Sequence, residues 1–213
     1  QMTELYRLQS GQLVSDLDSE TVDSVELGLR KSSDNWSLDA ALFRMDKSDS
    51  VYRDAEGFNV SGARSRHRGI EVAAEVRLGA DWRLAANGTW ARHRYESGLD
   101  IDTAPRWFGS TELRYEPSDS LSAALQWVSM GSYFLDPDNE YTYPGHDIAN
   151  VRVHYALSRN VSISARLDNI TDRAIADRAD YAFGNYRYFP GRGRELFVRI
   201  SFSARAEPAN TSP

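Results

Sequence analysis

Apolar and polar residues alternate with a period of two along most of this chain. From Arg68, the residues Ile70, Val72, Ala74, Val76 and Leu78 fall on one side, and Glu71, Ala73, Glu75 and Arg77 on the other. Trp82, Leu84, Ala86, Gly88 and Trp90 continue the pattern against Arg83, Ala85, Asn87 and Thr89. Trp107, Gly109, Thr111, Leu113 and Tyr115 do the same, as do Leu121 to Trp127, Val151 to Leu157, Val161 to Leu167 and Leu196 to Phe202. Upstream, Val25, Leu27 and Leu29 oppose Glu26 and Arg30, and Trp36, Leu38, Ala40 and Leu42 oppose Ser37 and Asp39. A helix needs apolar repeats at three and four, which these segments lack, so they predict about nine strands.

The connections alternate in length. Short polar turns fall at 31–35, 79–81, 117–119 and 158–160, and long Asp-, Gly- and Tyr-rich loops at 47–63, 96–105, 132–145 and 171–189. Tight turns at one end and long loops at the other describe the antiparallel meander of a transmembrane barrel. A soluble antiparallel sheet with one wet face is the alternative. Several runs reach about ten residues, the length of a tilted bilayer-crossing strand, whereas globular strands usually run about 5–6. The polar side carries both charge signs in mid-strand (Glu71, Glu75, Arg77, Glu112, Arg114, Arg152, Arg166, Asp168), as a hydrated lumen would. Trp36, Trp82, Trp90, Trp107, Tyr115, Trp127, Tyr155 and Phe202 sit near strand ends on the apolar side, where membrane-interface girdles belong.

Composition changes this picture little. The 213 residues are 41% hydrophobic and 26% charged, and the mean hydropathy of -0.56 fits a soluble protein on average. A membrane barrel hides in such averages, because its lumen-facing residues are polar. The net charge of -6 argues against a nucleic-acid partner. The absence of cysteine excludes disulfides, thiolate metal sites and cysteine nucleophiles. Gln1 opens no charged-then-apolar leader, and the polar tail at 204–213, after a barrel portion at 1–203, is expected to be disordered.

Several motifs resemble those of one family. Asn169-Ile170-Thr171-Asp172-Arg173, Tyr186-Arg187-Tyr188-Phe189-Pro190-Gly191-Arg192 and the strand Leu196 to Phe202 are similar to the C-terminus of TonB-dependent outer-membrane receptors. Glu4-Leu5-Tyr6-Arg7, Ser24-Val25-Glu26-Leu27-Gly28-Leu29-Arg30 and Arg68-Gly69-Ile70-Glu71 resemble elements farther upstream in such barrels. The chain departs from the family pattern at Ile175, where a Tyr is usual, at Ser19, where a Pro is common, and in continuing past Phe202. The resemblance implies an all-β, transmembrane antiparallel meander forming the C-terminal part of a barrel of about 22 strands. It further implies active import of a ferric siderophore or similar bulky nutrient, without enzymatic activity or a resident cofactor. The implied partners are outer-membrane lipid and lipopolysaccharide, the remaining barrel strands, a plug domain, and the TonB complex through that plug. About nine strands supply neither the remaining wall nor a plug, so the chain reads as a fragment. A passive pore or structural barrel is the other class of reading.

Candidate chemistry is sparse. His67, His93, His146 and His154 are scattered without metal-ligand spacing and read as ordinary loop and lumen histidines. Asp136, Asp138, Asn139, Glu140 and Asp147 offer oxygen ligands but fit no calcium motif and read as a solvated loop. Arg178 and Arg187 with Tyr181, Phe183 and Tyr186 combine guanidinium forks with aromatic faces, which suits an anionic, partly aromatic ferric chelate. No catalytic constellation is recognisable.

Overall fold

The computed structural model describes residues 19–53 and 59–203 of the chain. Thirteen strands follow one another in these residues. They are β1 (Thr21–Ser33), β2 (Trp36–Arg53), β3 (Asn59–Leu78), β4 (Trp82–Tyr95), β5 (Trp107–Ser118), β6 (Leu121–Met130), β7 (Tyr133–Phe134), β8 (Thr142–Tyr143), β9 (His146–Ser158), β10 (Val161–Asp168), β11 (Ala176–Ala182), β12 (Asn185–Pro190) and β13 (Glu195–Phe202). Nine form one antiparallel sheet in the order β1-β2-β3-β4-β5-β6-β9-β10-β13, and β7-β8 and β11-β12 are separate hairpins inside two long loops. The nine expected strands are therefore present. Glu4 to Arg7 and the tail at 204–213 lie outside the described residues.

Register makes the alternation a property of the whole sheet. Leu42 pairs with Ile70, Ile70 with Trp90, and Trp90 with Trp107. Leu125 pairs with Val151, Val151 with Leu167, and Leu167 with Leu196. Directly paired residues point to one side, so a single continuous apolar face results. It is not covered by another layer: Leu27, Leu42, Trp90, Trp107, Leu125, Trp127, Val198 and Phe202 are all exposed. The opposite face carries ion pairs in mid-strand, including Arg83 with Glu75 at 3.4 Å, Arg166 with Asp168 at 2.9 Å, and Glu112 with both Arg114 and Arg152.

Aromatic residues of the apolar face form two tiers. Trp36, Trp82, Tyr115, Tyr155 and Phe202 lie towards the short turns, and Trp90, Trp107 and Trp127 towards the long loops. Trp82 and Tyr115 pack against each other in a tilted arrangement with ring centroids 4.4 Å apart. Trp82 and Trp90 begin and end one run of strand β4, about 26 Å apart along it at roughly 3.3 Å per residue.

The loops differ most from sequence expectation. Residues 47–53 and 59–63 are strand, because backbone pairing of β2 with β3 continues to Arg53 and Asn59. Beyond the apolar band, water contacts both sides of a hairpin, so no apolar alternation is required to mark it. The segments 132–145 and 171–189 likewise contain the β7-β8 and β11-β12 hairpins.

The buried core of the described residues lies in these loops, not under the sheet. Tyr133, Leu135, Tyr143, Ala176 and Ala179 form it, drawn from both hairpins. Gly145 carries the chain from this cap back into β9 with φ of 80°, and a Cβ there would meet the backbone of Gly131 at 2.7 Å and the carbonyl of Met130. Gly145→Ala therefore adds a backbone clash to left-handed strain, and should destabilise the cap by about 1–3 kcal/mol. Faster hydrogen exchange at 131–145, with β9 unaffected, checks this.

Candidate functional site

The cap is assembled from three loops. The amide of Tyr181 donates to the Leu135 carbonyl at 2.9 Å, and the amides of Ala179 and Ala176 donate to the hydroxyls of Tyr133 and Tyr143 at 2.9 and 3.1 Å. Two buried tyrosines thus satisfy backbone donors of the other hairpin, which would otherwise be costly to bury. The β4–β5 loop joins through the Thr103 amide to the Phe134 carbonyl at 2.8 Å. It joins again through Asn139, whose side chain holds both backbone groups of Asp100 at 2.8 Å. The Asp136 carboxylate accepts from the Tyr141 and Glu140 amides at 2.8 and 3.2 Å. These acidic-loop side chains brace the loop itself, and no metal-ligating cluster of His, Cys, Asp or Glu occurs among the described residues.

The β11-β12 hairpin carries all five candidate ligand residues, but splits them. Tyr181 and Tyr186 pair directly, and Ala179 pairs with Tyr188, so this face turns to the cap. Tyr141 stacks on Tyr181 at 3.7 Å and meets Tyr186 edge-on at 5.4 Å. A hydrogen bond to Tyr181, with the adjoining phenol's charge and burial adding to it, pushes the Tyr141 hydroxyl up to about 12. It remains a proton donor at neutral pH. On the other face, Arg178 and Arg187 both bind Asp180, which is 5% exposed. Their guanidinium groups lie over Phe189 and Phe183 at 5.5 and 5.8 Å. One buried carboxylate thus fixes both arginines while leaving them half-exposed.

Phe183 occupies the tip. Ala182 pairs with Asn185, so Phe183 and Gly184 form a two-residue turn, with φ of 54° and 75°. Positive φ at both positions is the type I′ pattern, for which Asn-Gly is the usual choice. A bulky residue there is strained, and its ring is 92% exposed.

Two further groups are arranged by register. The motif beginning at Asn169 is a clamp: Asn169, 2% exposed, donates to the carbonyls of Arg173 and Arg192 at 2.9 and 3.2 Å, and Asp172 accepts from the Arg194 amide at 2.9 Å. It ties the exit of β10 to the start of β13. His67 and His93 are not scattered, because β3–β4 pairing brings their Nδ1 atoms to 2.8 Å. Their separation of 26 positions conceals the pair in the sequence. Burial, helped by the Arg173 charge, lowers the pKa of His146, whose Nδ1 lies 2.9 Å from the Tyr143 hydroxyl.

Tyr141, Tyr133, Tyr143 and Asp180 are the site residues that sequence reading misses. The roles of the tyrosines arise from contacts between loops, as in Tyr143 with Ala176, 33 positions apart, and Tyr133 with Ala179, 46 positions apart, whereas that of Asp180 arises from the pairing of β11 with β12.

Comparison with known proteins places this architecture. Residues 1–170 match the model described as TonB dependent receptor-like, beta-barrel. The ferrichrome outer membrane transporter/phage receptor of Escherichia coli K12 is 23% identical over 177 residues, which cover 76% of this chain and 23% of that protein. The catecholate siderophore receptor Fiu of the same strain is 24% identical over 177 residues, covering 76% and 22%. The crystal structure of the ferric yersiniabactin uptake receptor FyuA from Yersinia pestis superposes with a TM-score of 0.76 at 18% identity, over 86% of this chain and 30% of that one. These relatives are transporters and receptors, and the chain spans less than a quarter of the length of the two curated ones.

Proposed function

The chain belongs to the TonB-dependent receptor β-barrel family, and on that premise we propose that it forms a C-terminal stretch of barrel wall in an outer-membrane uptake receptor. The observation that carries this reading is the nine-stranded meander itself, apolar on one face, charged on the other, and unpaired at β1 and β13 among the described residues. An unpaired strand edge in hydrocarbon is very costly. The wall therefore continues into further strands on both sides, and the charged face lines a lumen that a plug domain fills. The TonB complex acts through that plug. Bilayer lipid contacts the apolar face, lipopolysaccharide contacts its upper rim, and the two aromatic tiers sit at the interfaces.

The loop cap faces the medium and supplies part of the binding surface for a ferric siderophore or a similar bulky nutrient. Phe183 and Tyr186 offer exposed aromatic faces, Arg178 and Arg187 offer N–H groups held in place by Asp180, and Tyr181 positions Tyr186. Cation–π and charge-assisted contacts suit an anionic chelate.

The test is uptake of radiolabelled iron, presented as ferric catecholate and ferric hydroxamate, by cells whose receptor contains this wall. Import abolished by deletion of the TonB complex supports the proposal. Import that survives that deletion would instead make the protein a passive pore. Proteoliposomes holding only this polypeptide should show no TonB-dependent uptake.

A further inference from the structure

Towards the long loops, register sets a thioether and two imidazoles side by side on the charged face of the sheet. Met45 of β2 pairs with His67 of β3, and His67 pairs with His93 of β4. Leu42, Ile70 and Trp90 mark the apolar face of the same strands, so alternation puts all three residues on the other side. Directly paired side chains have Cβ atoms about 4.5–5.5 Å apart. The unbranched methionine side chain is flexible enough to cover that distance. The two histidine rings have centroids 5.0 Å apart and are tilted by 55°, with one Nδ1 facing the other at 2.8 Å.

The surroundings orient this row and dry one side of it. The Ser65 hydroxyl lies 3.0 Å from His67 Nε2. Accepting the Nε2 proton, it leaves Nδ1 bare and aimed at His93, which is how outer partners orient metal-binding histidines. The next row towards the short turns is apolar. Phe43 pairs with Gly69, and Gly69 with Ala91, which is 2% exposed. A Cβ on Gly69 would meet the Phe43 ring and the Ala91 side chain at 2.8 Å, so glycine lets the ring lie across the strand. In the row beyond, Lys47 pairs with Ser65, and its ammonium is matched by Glu20 at 3.1 Å. Among the described residues, no further His, Cys, Asp or Glu joins the pair to make a cluster of three.

We propose that Met45, His67 and His93 bind one monovalent copper ion. A thioether and two neutral imidazoles are a soft ligand set, which favours copper(I) over the harder cations that take carboxylates. The set also carries no negative charge, so a divalent or trivalent ion would sit half-buried beside Lys47 without compensation. Metal–nitrogen bonds of about 2.0–2.1 Å at a tetrahedral angle place the two nitrogens about 3.3 Å apart. The rings therefore part by about 0.5 Å from their present 2.8 Å on binding. In the free pair, His93 donates its Nδ1–H to the bare Nδ1 of His67. On binding, His93 takes its other neutral tautomer, with the proton on Nε2, so the pair neither gains nor loses a proton.

The site depends on strand register alone, so its failure would leave the membrane wall standing. The receptor containing this wall is purified in detergent with three variants: His67→Gln/His93→Gln, Met45→Leu, and His154→Gln. The last removes an imidazole elsewhere on the same face, where it bonds Ser164 at 2.9 Å. Each is titrated without oxygen with copper(I) against a coloured copper(I) chelator, and separately with zinc. The double variant should hold one copper fewer per chain than the parent, and His154→Gln should match the parent. Met45→Leu should bind that copper at least about tenfold more weakly, with zinc binding unchanged. X-ray absorption of the copper-loaded parent should show a sulfur neighbour that Met45→Leu lacks, and this comparison needs no folded double variant. Equal copper content in parent and double variant would overturn the site. Equal copper affinity in Met45→Leu, or a copper spectrum without sulfur, would overturn the thioether's part. Zinc held more tightly than copper(I) would overturn the choice of metal.

Discussion

Leu135→Ala should open the loop cap while leaving the sheet in place. Leu135 is 1% exposed and is the largest fully buried side chain among the described residues. It packs with Tyr133, Tyr143, Ala176 and Ala179, and its carbonyl accepts the Tyr181 amide. Truncating a buried leucine costs about 2–5 kcal/mol, depending on how far the site collapses. That loss is large for a cap built from two short hairpins, because a small cluster has few other contacts to absorb it. The sheet keeps its own ladder of strand pairing and does not depend on Leu135. Limited proteolysis should show new cleavage within 131–145 and 169–194, with unchanged far-ultraviolet circular dichroism. Unchanged resistance in both loops would mean the hairpins are held by something other than this core. Ligand affinity should fall with the cap, since Tyr141 braces Tyr181 and Tyr186 only while the hairpins are docked.

The second large effect concerns which face meets lipid. Leu125 and Gln126 are neighbours in the middle of β6, on opposite faces. Leu125 is paired with Leu113 and Val151 and is exposed, whereas Gln126 accepts from Asn150 on the charged face. An arginine at the bilayer midplane of a barrel strand costs about 2–4 kcal/mol, and a lumen-facing one costs little. Leu125→Arg should therefore destabilise the folded receptor in vesicles by about that amount, while Gln126→Arg stays close to the parent. Denaturant titration of the receptor reconstituted in vesicles measures both. Equal, small changes would place both faces in water.

The sequence reveals the sheet because the physics of each strand is local. One face of β3, β4 or β10 must be apolar and the other polar, so alternation appears within a single segment, as from Ile70 to Leu78. The extension of β2 and β3 beyond Lys47 is not legible in this way, since a hairpin in water has no apolar face to mark it. The cap is hidden for a different reason. Arg178, Tyr181, Phe183, Tyr186 and Arg187 stand out as a cluster of forks and rings within one segment. Their supports, Tyr141, Leu135 and Tyr133, reach them only through packing between loops. Asp180 stands between the candidate residues in sequence, yet its part in holding Arg178 and Arg187 depends on the pairing of β11 with β12. The Met45–His67–His93 row is likewise a property of register, and so it emerges once the strands are aligned.

The most direct test of the membrane wall is cysteine scanning along β3. This chain contains no cysteine, so each introduced thiol is the only one within its strands. Single substitutions at Ile70, Val72, Ala74 and Val76 place the thiol on the apolar face, and those at Glu71, Ala73 and Glu75 on the charged one. In intact outer membranes, a water-soluble maleimide should label the second set readily and the first set hardly at all, in strict alternation. Labelling of both sets at the same rate would mean that water reaches both faces and that this sheet is not a membrane wall.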